Sequence, residues 1–381
     1  MKHFKQSPCL FWLALVMPMV ALMSGCGKER TKKVTIDSLR YARGFSVVDS
    51  ASAKWVEVTQ PYPGAAAGPR YVLVPHGQTV PAHDADVQVI FVPVSSMVCT
   101  STTHIPLLDY LASSDKLIGF PTTDYISSTK MRTLVDAGKV KDLGTDKGMN
   151  LEALVTLHPD VVMGYTLTAD LGQLKKIKSM GIPVVINAEY LEKHPLGRAE
   201  WIKFMALFVG KEKMADSVFR QIEKEYVTTQ AKVAQVSTRP TVMSGVVYGD
   251  AWFMPGGNNY AARLLKDAGC DYLWKETSSN GFLEISFESV FDRARDADFW
   301  IGAADFHSLQ ELAGADRRYG LFKPFREKKI FTYNARRGAK GGNEFLELGY
   351  LRPDLILKDL VKIVHPDVMP GYTLFFYEQL P

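Results

Sequence analysis

The chain has 381 residues, of which 46% are hydrophobic and 23% charged, and carries a formal charge of +4 at pH 7. Without Lys2 and Lys5 the surplus drops to about +2, and the remaining charges are scattered, which excludes a nucleic-acid binder. After Cys26 only Cys99 and Cys270 remain, too few and too far apart for a disulfide framework. They read as small buried hydrophobes, with a single bridge as the alternative.

Residues 1–25 read as a secretory signal: Lys2 and Lys5, an apolar run from Cys9 to Met23 interrupted by Pro18, then Ser24-Gly25 before Cys26. The run is shorter than the roughly 20 residues a spanning helix needs. Its end is similar to a bacterial lipobox, which implies lipidation at Cys26 and a mature protein held at a membrane surface. Residues 26–37 are polar and serve as the tether. The chain from Cys26 onward, roughly 356 residues, is long enough for two domains.

Short strands are expected over Tyr41–Val48, Lys54–Val58, Tyr71–Val74 and Val87–Val92, with a Pro/Gly/Ala loop at Pro61–Pro69. From about residue 95 apolar strands alternate with helices, the pattern of βα units around a mainly parallel sheet. A strand ends near Val98, Thr100-Ser101-Thr102-Thr103 supplies caps, and a helix follows over Ile105–Ala112. A helix from Asn150 leads to the strand Val161–Gly164, and the helix Ala169–Met180, closed by Gly181, leads to Pro183–Ile186. Two helices then run without a strand between them, Arg198–Val209 closed by Gly210, and Lys211–Val236, about 39 Å at helical rise. The alternation resumes with the strand Val242–Tyr248, the helix Asn259–Ala268 and the strands Phe299–Gly302 and Lys329–Tyr333. The expected domains are therefore an α/β lobe over 38–197 with a β-rich front, linking helices over 198–236, and a second α/β lobe over 237–381.

A weak internal repeat supports two related lobes. Asn150-Leu151-Glu152 opens a helix ending at Pro159-Asp160 before Val161–Gly164, and Ser286-Phe287-Glu288 opens one ending at Ala297-Asp298 before Phe299–Gly302. Each half thus carries a cap, a glutamate two residues on, an aspartate and a buried strand ending in glycine.

The chain lacks the G-x-S-x-G, G-x-x-x-x-G-K-[ST], H-E-x-x-H and C-x-x-C patterns, which shifts the reading from enzyme to binding protein. Open α/β sheets bind ligands at the carboxyl ends of their strands. By that rule the candidate ligand residues are His104, Tyr165, Trp252, Phe253, His307, Arg336 and Arg337. His104 and His307, the latter beside Asp305, are the histidines best placed. The other histidines read as structural or surface groups. The aromatic and basic residues suit a large flat or anionic molecule, with packing under loops as the plain alternative.

Together these motifs resemble the substrate-binding proteins of bacterial importers for iron chelates, haem and cobalamin. The likeness rests on Asn150-Leu151-Glu152-Ala153-Leu154, His158-Pro159-Asp160-Val161-Val162, Gly181-Ile182-Pro183-Val184-Val185 and the long helix. Asn343-Glu344-Phe345-Leu346-Glu347, Pro353–Asp359 and His365-Pro366 extend it toward the end of the chain. The resemblance implies two Rossmann-like lobes with mainly parallel sheets joined by one rigid helix, and a ligand cleft between them. It also implies an ABC permease with its ATPase as partners, and Glu152 and Glu288 as the carboxylates that dock into permease arginines. The protein is then a monomer of the cell envelope, not an enzyme, without resident cofactor or metal, facing the periplasm or exterior. Its ligand is expected to be an iron chelate, siderophore or haem. Cobalamin, bare metal ions and a receptor without a transporter are the alternatives. Haem binders of the family tend to carry Gly-Tyr before the Asn-Leu-Glu motif, where this chain has Gly144-Thr145-Asp146. The β-rich section 38–93 is longer than the family's usual start, and the resemblance assigns it no role.

Overall fold

The computed structural model describes residues 39–50, 52–145 and 148–381, with the backbone of Val34–Thr35. Cys26, the signal and most of the tether lie outside these residues. Residues from Lys33 onward form one unit. Among the described residues no helix is long and apolar enough to cross a membrane.

The front section is a five-stranded sheet of β1 (Val34–Thr35), β2 (Phe45–Asp49), β3 (Lys54–Val58), β4 (Arg70–Pro75) and β5 (Gln88–Val92), side by side in that order. The first three pairings are antiparallel and the last is parallel.

The N-terminal lobe contains β6 (Met97–Cys99), β7 (Leu117–Phe120), β8 (Lys141–Asp142), β9 (Val161–Gly164) and β10 (Val184–Ile186), with α1 (His104–Tyr110), α2 (Thr129–Asp136), α3 (Leu151–Leu157) and α4 (Gln173–Ser179). The sheet order β10-β9-β6-β7-β8, parallel throughout, is the doubly wound order of dinucleotide-binding folds. The front sheet closes its edge. Gln88 pairs its side-chain amide with the N–H and carbonyl of Val184 at 3.0 and 2.9 Å, and the Tyr71 hydroxyl accepts from Ile186 N–H. Unpaired strand groups are thereby satisfied by side chains.

Next come α5 (Pro195–Glu200), α6 (Ile202–Val209) and α7 (Glu212–Val233). The expected single helix from Arg198 is two short ones that meet at Trp201, and the first starts three residues earlier. Pro195 sits in its first turn and the His194 Nδ1 accepts from Leu196 N–H at 3.1 Å. Gly210, at φ +67°, ends α6 as expected. The 22-residue α7 spans about 33 Å and packs against α6 and α13 (Pro353–Val364).

The C-terminal lobe holds β11 (Thr241–Met243), β12 (Val246–Tyr248), β13 (Ala251–Pro255), β14 (Asp271–Tyr272), β15 (Phe282–Ile285), β16 (Phe299–Ile301), β17 (Ile330–Thr332) and β18 (Glu378–Gln379). Its main sheet runs β14-β11-β16-β17-β18, parallel except for β18, the other common doubly wound order. The expected strand Val242–Tyr248 breaks at Ser244-Gly245. Gly245 lies at φ +80°, and a Cβ there would come within 1.9 Å of the Phe253 carbonyl oxygen. The break sends β12 into a separate antiparallel sheet with β13 and β15.

The repeated aspartates have a common task. Asp160 accepts the N–H groups of Ser95 and Ser96 ahead of β6, and Asp298 accepts the N–H and hydroxyl of Thr241 in β11. Each therefore pins the start of the strand that comes first along the chain in its sheet. Cys99 and Cys270 are free and buried, and burial pushes the Cys270 thiol up to about 12.

Glu200 has no solvent exposure and accepts backbone N–H bonds from Arg40, Tyr41 and Ala42 at 2.8–3.0 Å, with Lys203 Nζ at 2.8 Å. Its loss strands three backbone donors and removes one of the carboxylates that face Lys203. Glu200→Ala is expected to lower stability by about 3–5 kcal/mol, read as the shift of the urea midpoint against wild type. A shift under 1 kcal/mol would mean that the segment 40–42 is held by its packing.

Candidate ligand cavity

A cavity of about 780 Å³ opens in the C-terminal lobe, within the roughly 300–1,000 Å³ typical of small-molecule sites. Its floor is the point where the sheet order reverses: Ser244, Gly245 and Val246 follow β11, and Ile301 ends β16 with Gly302 and Ala304 beyond it. Aromatic rings make much of the wall, among them Phe253, Tyr260, Tyr333, Phe345, Tyr350 and Tyr377. Phe282 and Leu346 line it while remaining 68% and 52% exposed, so its mouth is apolar. Further wall comes from Gln60, Pro63 and Gly64 of the front section and from residues 190–193 with Arg198. No described residue between 97 and 186 lines it, so the described wall does not include the strand ends of both sheets.

Arg198 is the distinctive group. Its guanidinium lies 3.7 Å from the ring centroid of Tyr260 and 4.3 Å from that of Tyr350, and it donates to the carbonyls of Glu192 and Tyr190 at 3.1 and 2.8 Å. Among the described residues no carboxylate forms an ion pair with it. α5 positions it: Pro195 and His194 fix the helix start, Ala199 and Trp201 are buried beside it, and Glu192 is held by Trp201 Nε1 at 3.0 Å. The result is an oriented cation on a mostly apolar wall. The other lining cation, Lys193, is exposed.

Among the described residues the lining contains neither histidine nor cysteine. Burial raises the phenols of Tyr260, Tyr333 and Tyr377, and pushes Tyr190 up to about 12, so these groups stay neutral. Among the described residues no group of three His, Cys, Asp or Glu side chains could hold a metal ion.

Several expected ligand residues fall elsewhere. Phe253 lines the cavity but Trp252 does not, because neighbours on β13 face opposite ways. Trp252 is wholly buried against Trp300, Tyr319 and Phe322 and donates Nε1–H to the Ser244 carbonyl. His104 is also wholly buried, on α1; its ring nitrogens have no partner and desolvation holds it down at about 3, so it meets no ligand. His307 is exposed and outside the lining. Tyr165 is half-buried after β9, near Tyr190, and also outside it. Arg336 pairs with Glu344 at 2.7 Å and lies over Phe375, while Arg337 pairs with Asp305. The basic loop is neutralised and does not line the cavity.

That loop is instead spent on contact between the lobes. Gly338 and Gly342 lie where a Cβ would come within 2.5 Å of Ser127 Cα and 2.2 Å of the Tyr125 carbonyl oxygen. The buried Glu347, on α12 (Glu344–Leu348), accepts the N–H groups of Ser127 and Ser128 at 2.7 and 2.8 Å. Arg352 reaches the Tyr110 hydroxyl at 2.9 Å.

Glu152 and Glu288 are exposed in the first turns of α3 and α9 (Phe287–Ala294), behind the Asn150 and Ser286 caps. Glu288 is 3.5 Å from Arg318, also exposed, a pair worth only about 0–1 kcal/mol.

The sequence profile described as periplasmic binding protein matches residues 97–336, well over half of the chain. The chain belongs to that family, the one expected from its motifs. Two uncharacterised lipoproteins of Methanocaldococcus jannaschii are 25% and 26% identical to it, covering 95% and 90% of this chain and 94% and 86% of their own. Among solved structures, the periplasmic haem-binding protein HutB of Vibrio cholerae superposes with a TM-score of 0.54 at 15% identity, over 69% of this chain and 99% of its own. A possible iron-binding protein of Staphylococcus epidermidis gives 0.54 at 17%, over 72% and 99%. These likenesses establish the two-lobed fold; the family comprises solute-binding proteins that work with ABC transporters, not enzymes.

Burial pushes Glu347 up to about 7 from its ordinary 4.5, against the pull of the Ser127 and Ser128 amides. The folded chain therefore takes up a proton there between about 7 and 4.5, and this group's contribution to stability falls as pH rises through that window. Urea denaturation should show wild type losing stability relative to Glu347→Gln between pH 5 and pH 7.5. A difference that stays flat with pH would place the carboxylate's titration outside the window.

Proposed function

We propose that the protein is the substrate-binding lipoprotein of an ABC importer, tethered through Cys26, and that it captures an anionic iron chelate in the cavity around Arg198. The observation that carries this reading is the unpaired guanidinium set against Tyr260 and Tyr350. An anionic ligand supplies the charge that the protein withholds, and flat or aromatic chelating groups suit the ring-lined wall. Among the described residues the lining has no histidine or cysteine, and the ligand is read as one whose iron is already coordinated when it arrives. That favours a siderophore-type chelate over haem, bare metal ions or cobalamin.

The test is titration of a trianionic ferric tris-catecholate, ferrioxamine B, haemin and cyanocobalamin into wild type, Arg198→Ala and Arg336→Ala. A charge-assisted hydrogen bond contributes roughly 1.5–3 kcal/mol, so Arg198→Ala should weaken tris-catecholate binding about ten- to a hundredfold while Arg336→Ala leaves it unchanged. Equal affinity in all three proteins, or tight binding of cyanocobalamin alone, overturns the ligand assignment.

Delivery is assigned to Glu152 and Glu288. One sits on each lobe, and two separated carboxylates can meet two fixed basic pockets only at one lobe spacing, which lets a permease sense the loaded state. Favouring their helix N-termini accounts for no more than about 1 kcal/mol each. Charge reversal at either position is expected to abolish uptake while leaving affinity intact. Undiminished uptake by both single reversals at limiting ligand would return them to ordinary helix-start residues.

A further inference from the structure

The front section lies outside the family match, which begins at residue 97, yet it reaches the cavity. Gln60, Pro63 and Gly64, in the loop between β3 and β4, form part of the lining. This loop is rooted on both sides. Val58 N–H donates to the Pro69 carbonyl at 3.1 Å across its base, and Thr59 donates its N–H to Gly44 and its hydroxyl to Arg43 at 2.9 and 3.1 Å. Gly68 can only be glycine: a Cβ there would fall 1.6 Å from the Val58 carbonyl oxygen. Within the loop, Pro61 is buried and Ala65 N–H closes a turn onto the Tyr62 carbonyl at 3.2 Å.

The root is fastened to the turn that presents the cavity's cation. The Glu192 carboxylate accepts the N–H groups of Arg43 and Gly44, each at 2.8 Å, while the Glu192 carbonyl accepts from Arg198 Nε. One buried residue thus fixes both the loop and the arginine. Gly44 is part of the fit, since a Cβ there would meet the Trp201 ring at 2.7 Å. A wall that is preorganised in this way can reject misfits without spending binding energy on ordering itself.

We infer that the β3–β4 loop is a specificity wall, with the exposed Gln60 amide and the Pro63-Gly64 tip deciding which chelates of the anionic class are retained. Gln60 offers one carbonyl and two N–H groups to polar atoms at the rim of the ligand. Pro63 and Gly64 set how closely a bulky chelator approaches. The inference rests on the proposed ligand cavity and adds a selectivity that the residues matched by the family do not supply.

The experiment uses the full-length protein in detergent with ferric tris-catecholate, ferrioxamine B, haemin and cyanocobalamin as probes. Gln60→Ala, Pro63→Trp and a replacement of residues 61–67 by a short Gly-Ser turn are compared with wild type. Pro63→Trp is expected to weaken the tightest probe at least tenfold or to change the order of the four affinities, with thermal unfolding unchanged. Gln60→Ala, a truncation of an exposed side chain, keeps the test intact if the larger changes misfold, and should cost at least threefold on the same probe. Cys99 and Cys270 are buried, so Gln60→Cys provides a second readout: its alkylation should slow at least tenfold when that probe is bound. Identical affinities across the folded variants with no protection of Gln60→Cys overturn the wall while leaving the cavity as the binding site. A wild type that binds none of the four probes overturns the chelate reading and this inference with it.

Discussion

Buried carboxylates holding backbone N–H groups are the constraint on which the arrangement of this molecule depends. Glu192 and Glu200, either side of the α5 start, take up the N–H groups of residues 40–44. A charged group sealed from water is tolerable only when its lone pairs are filled, and here the chain itself fills them. The front section is thereby fixed to the helices that link the lobes, and the turn carrying Arg198 is fixed with it. Remove that bonding and the cavity loses its roof and the orientation of its cation together.

The two main sheets explain why the cavity lies in one lobe. Each doubly wound sheet has one point where its strand order reverses, and ligands gather there. In the C-terminal lobe the reversal between β11 and β16 is left open by the Gly245 kink, which turns the chain away into the small antiparallel sheet. In the N-terminal lobe the segment beyond β6 runs straight into a buried helix start: His104 is buried, and Thr103 is hydrogen-bonded to the buried Glu189. The lobes are also joined directly, through Glu347 on α12 and the Ser127 and Ser128 amides, just beyond the loop that sequence alone places at the ligand.

Much of this was legible from residue patterns. Helix ends at Gly181 and Gly210 announce a left-handed residue by type, and both glycines have positive φ. In the paired devices of the two lobes, Asn150 and Ser286 cap a helix and Asp160 and Asp298 pin the first strand of each sheet. What could not be read was direction. Trp252 and Phe253 are equivalent as letters, but alternation along β13 sends one into the core and the other to the cavity. Arg336 and Arg337 look like a free basic loop until Glu344 and Asp305, distant or unremarkable in sequence, neutralise them. Arg198 was missed because a lone arginine in a linking helix reads as solvated. Its signal was the His194-Pro195 helix start, which places it in the first turn of a largely buried helix.

The central claim is that the cavity retains an anionic chelate whose iron is already coordinated. Native mass spectrometry of the full-length protein, purified from its own membranes, addresses it most directly and reads the state of Cys26 in the same spectrum. The account predicts an acylated chain beginning at Cys26 with one added mass bearing the isotope pattern of a ferric chelate. A bound cobalamin, or a metal-free solute as the sole added mass, would contradict it.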